Sequence, residues 1–174
     1  MATRDPHLVA TRIVQDAGGE LVGRTRLQKI AYLMQLAGFG EEFEFEYRHY
    51  GPFSEDLARG MDIAAAFGQV AEEEKQTAWG GNYSVFSLKR AAAPTDMKRA
   101  AFVQRAKAIN AVELELAATA AFLFVVERKA DPWAETKRRK PGKAGEGRLE
   151  RAMAAYDALR ALNTPRPLPA LPAA

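Results

Sequence analysis

Residues 70–89 carry the pattern of a β-hairpin, and their position after three helical segments limits the folds available to the first half of the chain. Two runs with strand character, 70–77 and 83–89, flank the turn signal Trp-Gly-Gly-Asn at 79–82. Many winged-helix variants have their elements in the order helix, short strand, helix, strand, helix and hairpin. We therefore predict a winged-helix-like part over residues 5–90, with the hairpin as its wing.

Apolar residues at helical spacing predict the three helices before this hairpin. The first begins near Asp5-Pro6, the second runs over about 25–37, and Ser54 caps the third, with two carboxylates in its first turn. The apolar residues of the second helix face the core. We expect a polar set to stay outside near its start: Arg24, Arg26, Gln28 and Lys29.

Residues 43–48 alternate aromatic and charged side chains, which is the period of a half-buried strand. Such a strand, placed between two helices, is not standard for a winged helix. We predict that it adds to the sheet formed by the wing, and that Tyr50-Gly51-Pro52-Phe53 makes a turn after it.

The second half of the chain predicts a helical extension over residues 95–162. Its most apolar run is 116–126, which is too short for a membrane span and predicts a buried central helix. From residue 163 to 174 the chain is rich in proline and small residues. We therefore expect one domain over residues 1–162 and a flexible tail over 163–174.

The composition indicates a globular protein with a substantial core. Hydrophobic residues make up 48% of the chain and charged residues 27%, which together with the pattern predicts an α+β, mostly helical fold. There is no cysteine, which excludes disulfides, thiol nucleophiles and thiolate metal sites. The first residues lack the apolar core of a signal peptide, so we expect a cytoplasmic protein without membrane association.

One stretch resembles a known family. Residues 23–33 read Gly-Arg-Thr-Arg-Leu-Gln-Lys-Ile-Ala-Tyr-Leu, which is similar to the signature of YwgA-like proteins and to the shorter signature of the Panacea, or SocA-like antitoxin, domain. An aromatic strand and Tyr-Gly-Pro follow in both families, as 43–47 and 50–52 do here. The resemblance covers about residues 8–60, with a weaker similarity at Asp131-Pro132-Trp133, and Phe-Ser at 53–54 favours the YwgA-like branch.

The resemblance implies a binding module and no enzyme. SocA-like domains neutralise toxins by direct contact or deliver them to a protease, so the expected partner is a protein, of which a toxin is one candidate. We expect no cofactor and leave the oligomeric state open. The residues that we assign to partner binding are Arg24, Arg26, Gln28, Lys29, Tyr50, Phe53 and Trp133.

A second interpretation is a winged-helix DNA-binding transcriptional regulator. The chain carries a net charge of +3, which permits contact with nucleic acid without requiring it. The candidate contacts to DNA are the start of the second helix and a basic run: Arg24, Arg26, Lys137, Arg138, Arg139 and Lys140. Against this interpretation, Gln28 and its neighbours are expected to accompany a buried segment, with Gln28 bonded to backbone inside the fold.

Catalytic and metal-binding chemistry finds little support in the residues. The two histidines, His7 and His49, stand apart, and no spacing pairs either of them with a second ligand. Glu44 and Glu46 share the solvent face of the predicted strand, where nothing separates their pKa values. Ser54 lies five residues after His49, but capping of a helix accounts for it.

Overall fold

The structure, a computed structural model, describes residues 5–173. Its elements in chain order are α1 (Pro6–Asp16), β1 (Glu20–Val22), α2 (Arg24–Leu36), β2 (Glu46–Arg48), β3 (Gly51–Phe53), α3 (Glu55–Ala66), β4 (Val70–Gln76), β5 (Asn82–Leu88), α4 (Met97–Lys107), α5 (Ala111–Val125), α6 (Pro132–Arg139), α7 (Pro141–Ala144) and α8 (Arg148–Arg160). The predicted class is confirmed, because the described chain is α+β and mostly helical, with a small antiparallel sheet.

The first half has the element order of a winged helix. Strand β5 lies between β1 and β4 in a three-stranded antiparallel sheet, so the β4–β5 hairpin is the wing. Leu21 lies opposite Phe86 in the register of β1 and β5, and both side chains are fully buried. Helices α1 and α3 pack against each other beside this sheet. Because the side chains of residues 83–89 alternate between the two faces of β5, one of these faces points into the core.

The predicted strand at residues 43–48 is only partly formed, and its predicted pairing is wrong. β2 covers Glu46–Arg48 and pairs with β3 as a separate two-stranded sheet, while the wing keeps its own three strands. The side chain of Gln35 explains the difference at the start of the segment. It accepts from the backbone N–H of Phe43 at 2.8 Å and donates to the carbonyl of Phe43 at 3.0 Å. These backbone groups are therefore not free for a strand ladder.

Helix α5 is the centre of the second half, as the apolar run predicted. Every residue from Leu114 to Leu123 is buried, and the helix packs against α2, α6, α8 and β3. Asn110 caps its start by accepting from the backbone N–H groups of Val112 and Glu113. No single described helix combines the length and apolar character of a membrane span, although α4 and α5, bent by 118°, meet both criteria as a pair.

The segment from residue 163 to 173, predicted as a flexible tail, lies against the helices instead. Leu168 is buried, and the backbone N–H of Arg166 donates to the carbonyl of Ala37 at 3.0 Å. The hydroxyl of Tyr156 donates to the carbonyl of Pro169 at 2.7 Å. Proline content indicated an absence of helix and strand, but it could not show that an isolated leucine finds an apolar site. Ala174 lies outside the described residues.

A buried ion pair joins the two halves of the chain. The guanidinium of Arg99 on α4 donates to both carboxylate oxygens of Asp16 on α1, at 2.5 and 3.3 Å. The Asp16 side chain is fully buried and that of Arg99 is 9% exposed. Removing one member of such a pair leaves the other charge without compensation in the interior, which is more costly than the pair itself.

We expect Arg99→Met to lower the free energy of unfolding by about 3–5 kcal/mol, because it leaves the buried Asp16 carboxylate unpaired. Urea denaturation of the purified chain measures this. The double variant Asp16→Asn/Arg99→Met removes both charges and is expected to recover at least half of the loss. Equal destabilisation by the single and double variants would show that the pair itself, and not the stranded carboxylate, carries the effect.

Candidate functional site

Gln28 and Lys29 point into the protein, which corrects the prediction that they stay outside on α2. Their exposed fractions are 3% and 1%. The amide of Gln28 donates to the carbonyl of Ser54 at 2.9 Å and accepts from the N–H of Ser54 at 2.8 Å. The ammonium of Lys29 donates to the carbonyl of Pro52 at 2.7 Å. The expected bond from Gln28 to backbone is thus confirmed. Both side chains bind the backbone of residues 52–54 to α2.

A cavity of about 450 Å³ opens between the start of α2, the β2–β3 hairpin and α3. Its volume lies within the range of small-ligand pockets. Apolar atoms supply most of the surface that lines it. The lining residues are Arg24, Thr25, Leu27, Gln28, Lys29, Arg48, His49, Tyr50, Gly51, Phe53, Ala58 and Met61.

Gly51 is required where the hairpin approaches α5. Its φ of +92° is the left-handed conformation that glycine adopts without strain. A Cβ at this position would also lie 2.5 Å from the Thr119 hydroxyl oxygen. That hydroxyl is buried and has no hydrogen-bond partner among the described residues. The Gly-Pro motif therefore reflects a close approach of the hairpin to α5, in addition to a turn.

A cluster of buried charges lies beneath the hairpin. Glu115 on α5 accepts from the ammonium groups of Lys140 and Lys143, at 2.9 and 2.8 Å. Lys140 also donates to the carbonyl of His49 at 2.8 Å. Lys29 interacts electrostatically with all three of these charged side chains. The cluster therefore brings three lysines close to one carboxylate, of which Lys140 and Lys143 are bonded to it.

Burial lowers the pKa of Lys29 to about 8. The positive charges of Lys140 and Lys143 act in the same direction, while Glu115 opposes them. A buried ammonium next to two others is costly to keep charged, and loss of its proton reduces that cost. Lys29 therefore releases its proton more readily than an ordinary lysine side chain does.

A second, more open groove of about 750 Å³ continues from the cavity towards α6 and α7. Arg48 and His49 line both spaces, so the cavity and the groove adjoin each other, and we call the two together the cleft. The residues that line the groove include no carboxylate. They are Tyr47, Arg48, His49, Arg139, Lys140, Pro141, Gly142 and Lys143.

Only part of the predicted partner-binding set reaches this cleft. Arg24, Gln28, Lys29, Tyr50 and Phe53 line the cavity, and Tyr50 is 51% exposed. Trp133 is the clearest correction, because it is 4% exposed and packs against Tyr156 with ring centroids 6.2 Å apart.

Arg26 is likewise committed to the fold. Its guanidinium donates to the carbonyls of Lys107 and Ile109, at 3.0 and 2.5 Å. These carbonyls belong to the connection between α4 and α5, so the side chain ties α2 to the helical extension.

The basic residues predicted to contact DNA are largely paired with carboxylates. Arg24 bonds to Glu72 at 2.6 Å and to Asp62 at 3.0 Å. Arg139 pairs with Glu127 and Glu135, at 2.8 Å in both cases. Such pairs cancel most of the positive field at these positions.

The side chains of the basic run 137–140 accordingly lie in different environments. Arg138 pairs with Glu135 at 2.5 Å, and Lys140 is buried in the Glu115 cluster. Lys137 is exposed. The run is therefore not one continuous basic face.

The helix that would read DNA is also acidic. In a helix-turn-helix the second helix of the pair enters the groove, and this helix is α3 here. The exposed charged residues of α3 are Glu55, Asp56, Arg59 and Asp62. In addition, residues 37–54 stand between α2 and α3, where a helix-turn-helix has a short turn. This arrangement offers little attraction to phosphates.

No catalytic arrangement forms around the predicted candidates. Ser54 is buried and its hydroxyl accepts from the N–H of Leu57, as predicted for a helix cap. Glu46 is exposed and pairs with Arg48. Within residues 5–173 no hydrogen bond joins His49 to Ser54 or Glu46, and no group of three acidic or histidine side chains is placed to hold a metal.

Sequence reasoning missed Glu115 and did not assign a role to Lys143. The signal for Glu115 was its place in the most apolar helix, between Leu114 and Leu116. A lone carboxylate in a buried helix requires a cationic partner, but Arg105, Lys107, Arg128 and Lys129 are all nearer in sequence than Lys140, so the sequence did not indicate which residue it is. Comparison of the chain with protein-family models, curated proteins and solved structures gives no match.

We expect Gln28→Leu to lower the free energy of unfolding by about 2–4 kcal/mol, because it leaves the buried N–H of Ser54 without a partner and its carbonyl with the N–H of Ala58 alone. Gln35→Leu is the matched control, since Gln35 makes the same pair of bonds to Phe43 at a partly exposed position. Water can replace those bonds, so we expect a loss of about 1 kcal/mol there. Chemical denaturation measures both losses, and equal losses would contradict the assignment of Gln28.

The lowered pKa of Lys29 predicts a pH dependence of stability. Between about pH 8 and the ordinary lysine value near 10.4, the unfolded chain holds this proton and the folded chain has released it. The stability contributed by the group therefore rises with pH in this window. We expect wild type to gain about 2 kcal/mol relative to Lys29→Met between pH 7 and pH 9.5. Denaturation curves at both pH values measure the difference, and a constant difference would refute the lowered pKa.

Proposed function

We propose that the chain is a non-enzymatic, antitoxin-like binding module of the SocA/YwgA type that acts on a partner protein. The observation that carries the proposal is the cleft formed by the cavity and the groove. The two stretches that resemble this family, residues 23–33 and 50–54, form much of its wall. We further propose a cytoplasmic location, where a toxin-neutralising role of this kind is exercised.

The chemistry of the cleft favours binding over catalysis. The lining of the cavity is mostly apolar and includes Leu27, Phe53 and Met61. Its buried polar side chains, Gln28 and Lys29, are engaged with the backbone at residues 52–54. A largely apolar pocket beside an exposed aromatic residue is typical of a site that receives a side chain of a partner.

The DNA-binding alternative stays a prediction with weaker support. Its candidate residues are paired with carboxylates, and α3 presents more negative than positive charge. By contrast, the cleft requires no such rearrangement of ion pairs to accept an apolar group. We therefore take the protein partner as the function to test first.

Co-expression of the tagged chain with each neighbouring gene, followed by affinity purification, tests the proposal. We expect one neighbouring product to co-purify with wild type. Ala58 lines the cavity on α3, so we expect Ala58→Trp to fill it and to reduce recovery of the partner at least tenfold.

Ala66→Trp is the matched control, because Ala66 lies on the same helix, is exposed and does not line the cavity. We expect recovery with this variant to equal that of wild type. Thermal unfolding of both variants verifies that they remain folded. Failure of any neighbouring product to co-purify, or equal recovery with Ala58→Trp, would count against a partner bound in this cleft.

A further inference from the structure

The groove beside the cavity is unusual in the sign of its charge. Arg48, Arg139, Lys140 and Lys143 line it, and no acidic residue does. We call this surface the cationic groove. Because it joins the apolar cavity at Arg48 and His49, a ligand that lies along the cleft meets an apolar pocket and then positive charge.

The positive charge of the groove is not fully compensated from within. Within residues 5–173, Glu115 is the one carboxylate paired with the ammonium groups of Lys140 and Lys143, and Lys29 adds a third ammonium on the cavity side. Lys143 is the most accessible of the three, with 34% of its side chain exposed. Its ammonium lies 4.7 Å from the centre of the Tyr50 ring, which places it at the junction of the two spaces.

We propose that the cleft binds an extended segment of the partner protein in which an apolar side chain is followed or preceded by one or two carboxylates. The inference rests on the proposed function and adds the chemistry of the partner. The apolar side chain enters the cavity, and the carboxylates lie in the cationic groove near Lys143. The segment thereby supplies the negative charge that the cluster around Glu115 lacks.

An acidic peptide fits this surface better than a nucleic acid does. Arg48 is already paired with Glu46 and Glu55, and Glu127 and Glu135 flank the far end of the groove on Arg139. A long polyanion would pass these carboxylates, whereas one or two ligand carboxylates reach only the uncompensated lysines. A nucleic acid also has no small apolar group for the adjoining cavity.

Selection of a random 12-residue peptide library on the full chain tests the inference. We expect the enriched peptides to combine a large apolar residue with nearby Asp or Glu. Fluorescence anisotropy with synthetic copies then measures affinity. We expect about fivefold weaker binding to Lys143→Gln, and weaker binding as salt is raised. Replacing the acidic residues of a peptide with Asn or Gln is expected to have a similar effect.

Lys98→Gln on α4 is the matched control, because Lys98 is exposed outside the cleft and loses the same charge. Lys143→Gln leaves Lys140 on Glu115, and its thermal unfolding verifies the fold. Three results would overturn the inference: no enrichment on wild type over Lys143→Gln, enriched peptides without acidic residues, or tight binding of a 12-nucleotide single-stranded DNA that Lys143→Gln abolishes. If a partner still co-purifies in an Ala58-dependent manner, the proposed function survives and only the acidic chemistry fails.

Discussion

The hydrogen bonds from Gln28 and Lys29 to the backbone at residues 52–54 hold the hairpin between α2 and α3 in place. A segment inserted between two helices must satisfy its own N–H and carbonyl groups, and a two-stranded sheet satisfies only some of them. Helix α2 supplies further partners through side chains that are long enough to cross to the hairpin, and Lys140 supplies one for the carbonyl of His49. With that segment fixed, Ser54 caps α3, Gly51 reaches α5, and the space left between them is the cavity.

Periodic patterns predicted the helices, the wing and the central place of α5, because burial of one face determines these elements locally. The same patterns placed Gln28 and Lys29 on the wrong side. A polar residue next to an apolar stripe is assigned to solvent unless a distant segment is known to cover it. The pairing of β2, the burial of Trp133 and the docking of Leu168 failed for the same reason, since each depends on a contact far away in sequence.

Net charge was a poor guide to the surface for a related reason. The chain is basic in total, yet Arg24 and Arg139 are each shared between two carboxylates. The positive charge that remains uncompensated lies instead around Glu115, in the interior beside the cleft. The sequence held a sign of this in the one carboxylate of an otherwise apolar helix, but only the fold shows that three lysines from two separate regions converge there.

The buried lysines carry both the fold and the charge of the cleft. Lys29 and Lys140 each hold a carbonyl of the 49–52 segment, so neither can be replaced by an apolar residue without releasing the hairpin. Burial lowers the pKa of Lys29 and the nearby charge of Lys140 adds to this effect, which means that the folded chain bears an electrostatic cost near neutral pH. A fold that needed only to secure the hairpin could do so with neutral donors. Unfavourable charges of this kind tend to lie where a protein binds a ligand, because a ligand of opposite charge relieves the repulsion. The electrostatic cost at Lys29 and the absence of carboxylates among the residues that line the groove are thus two aspects of one arrangement.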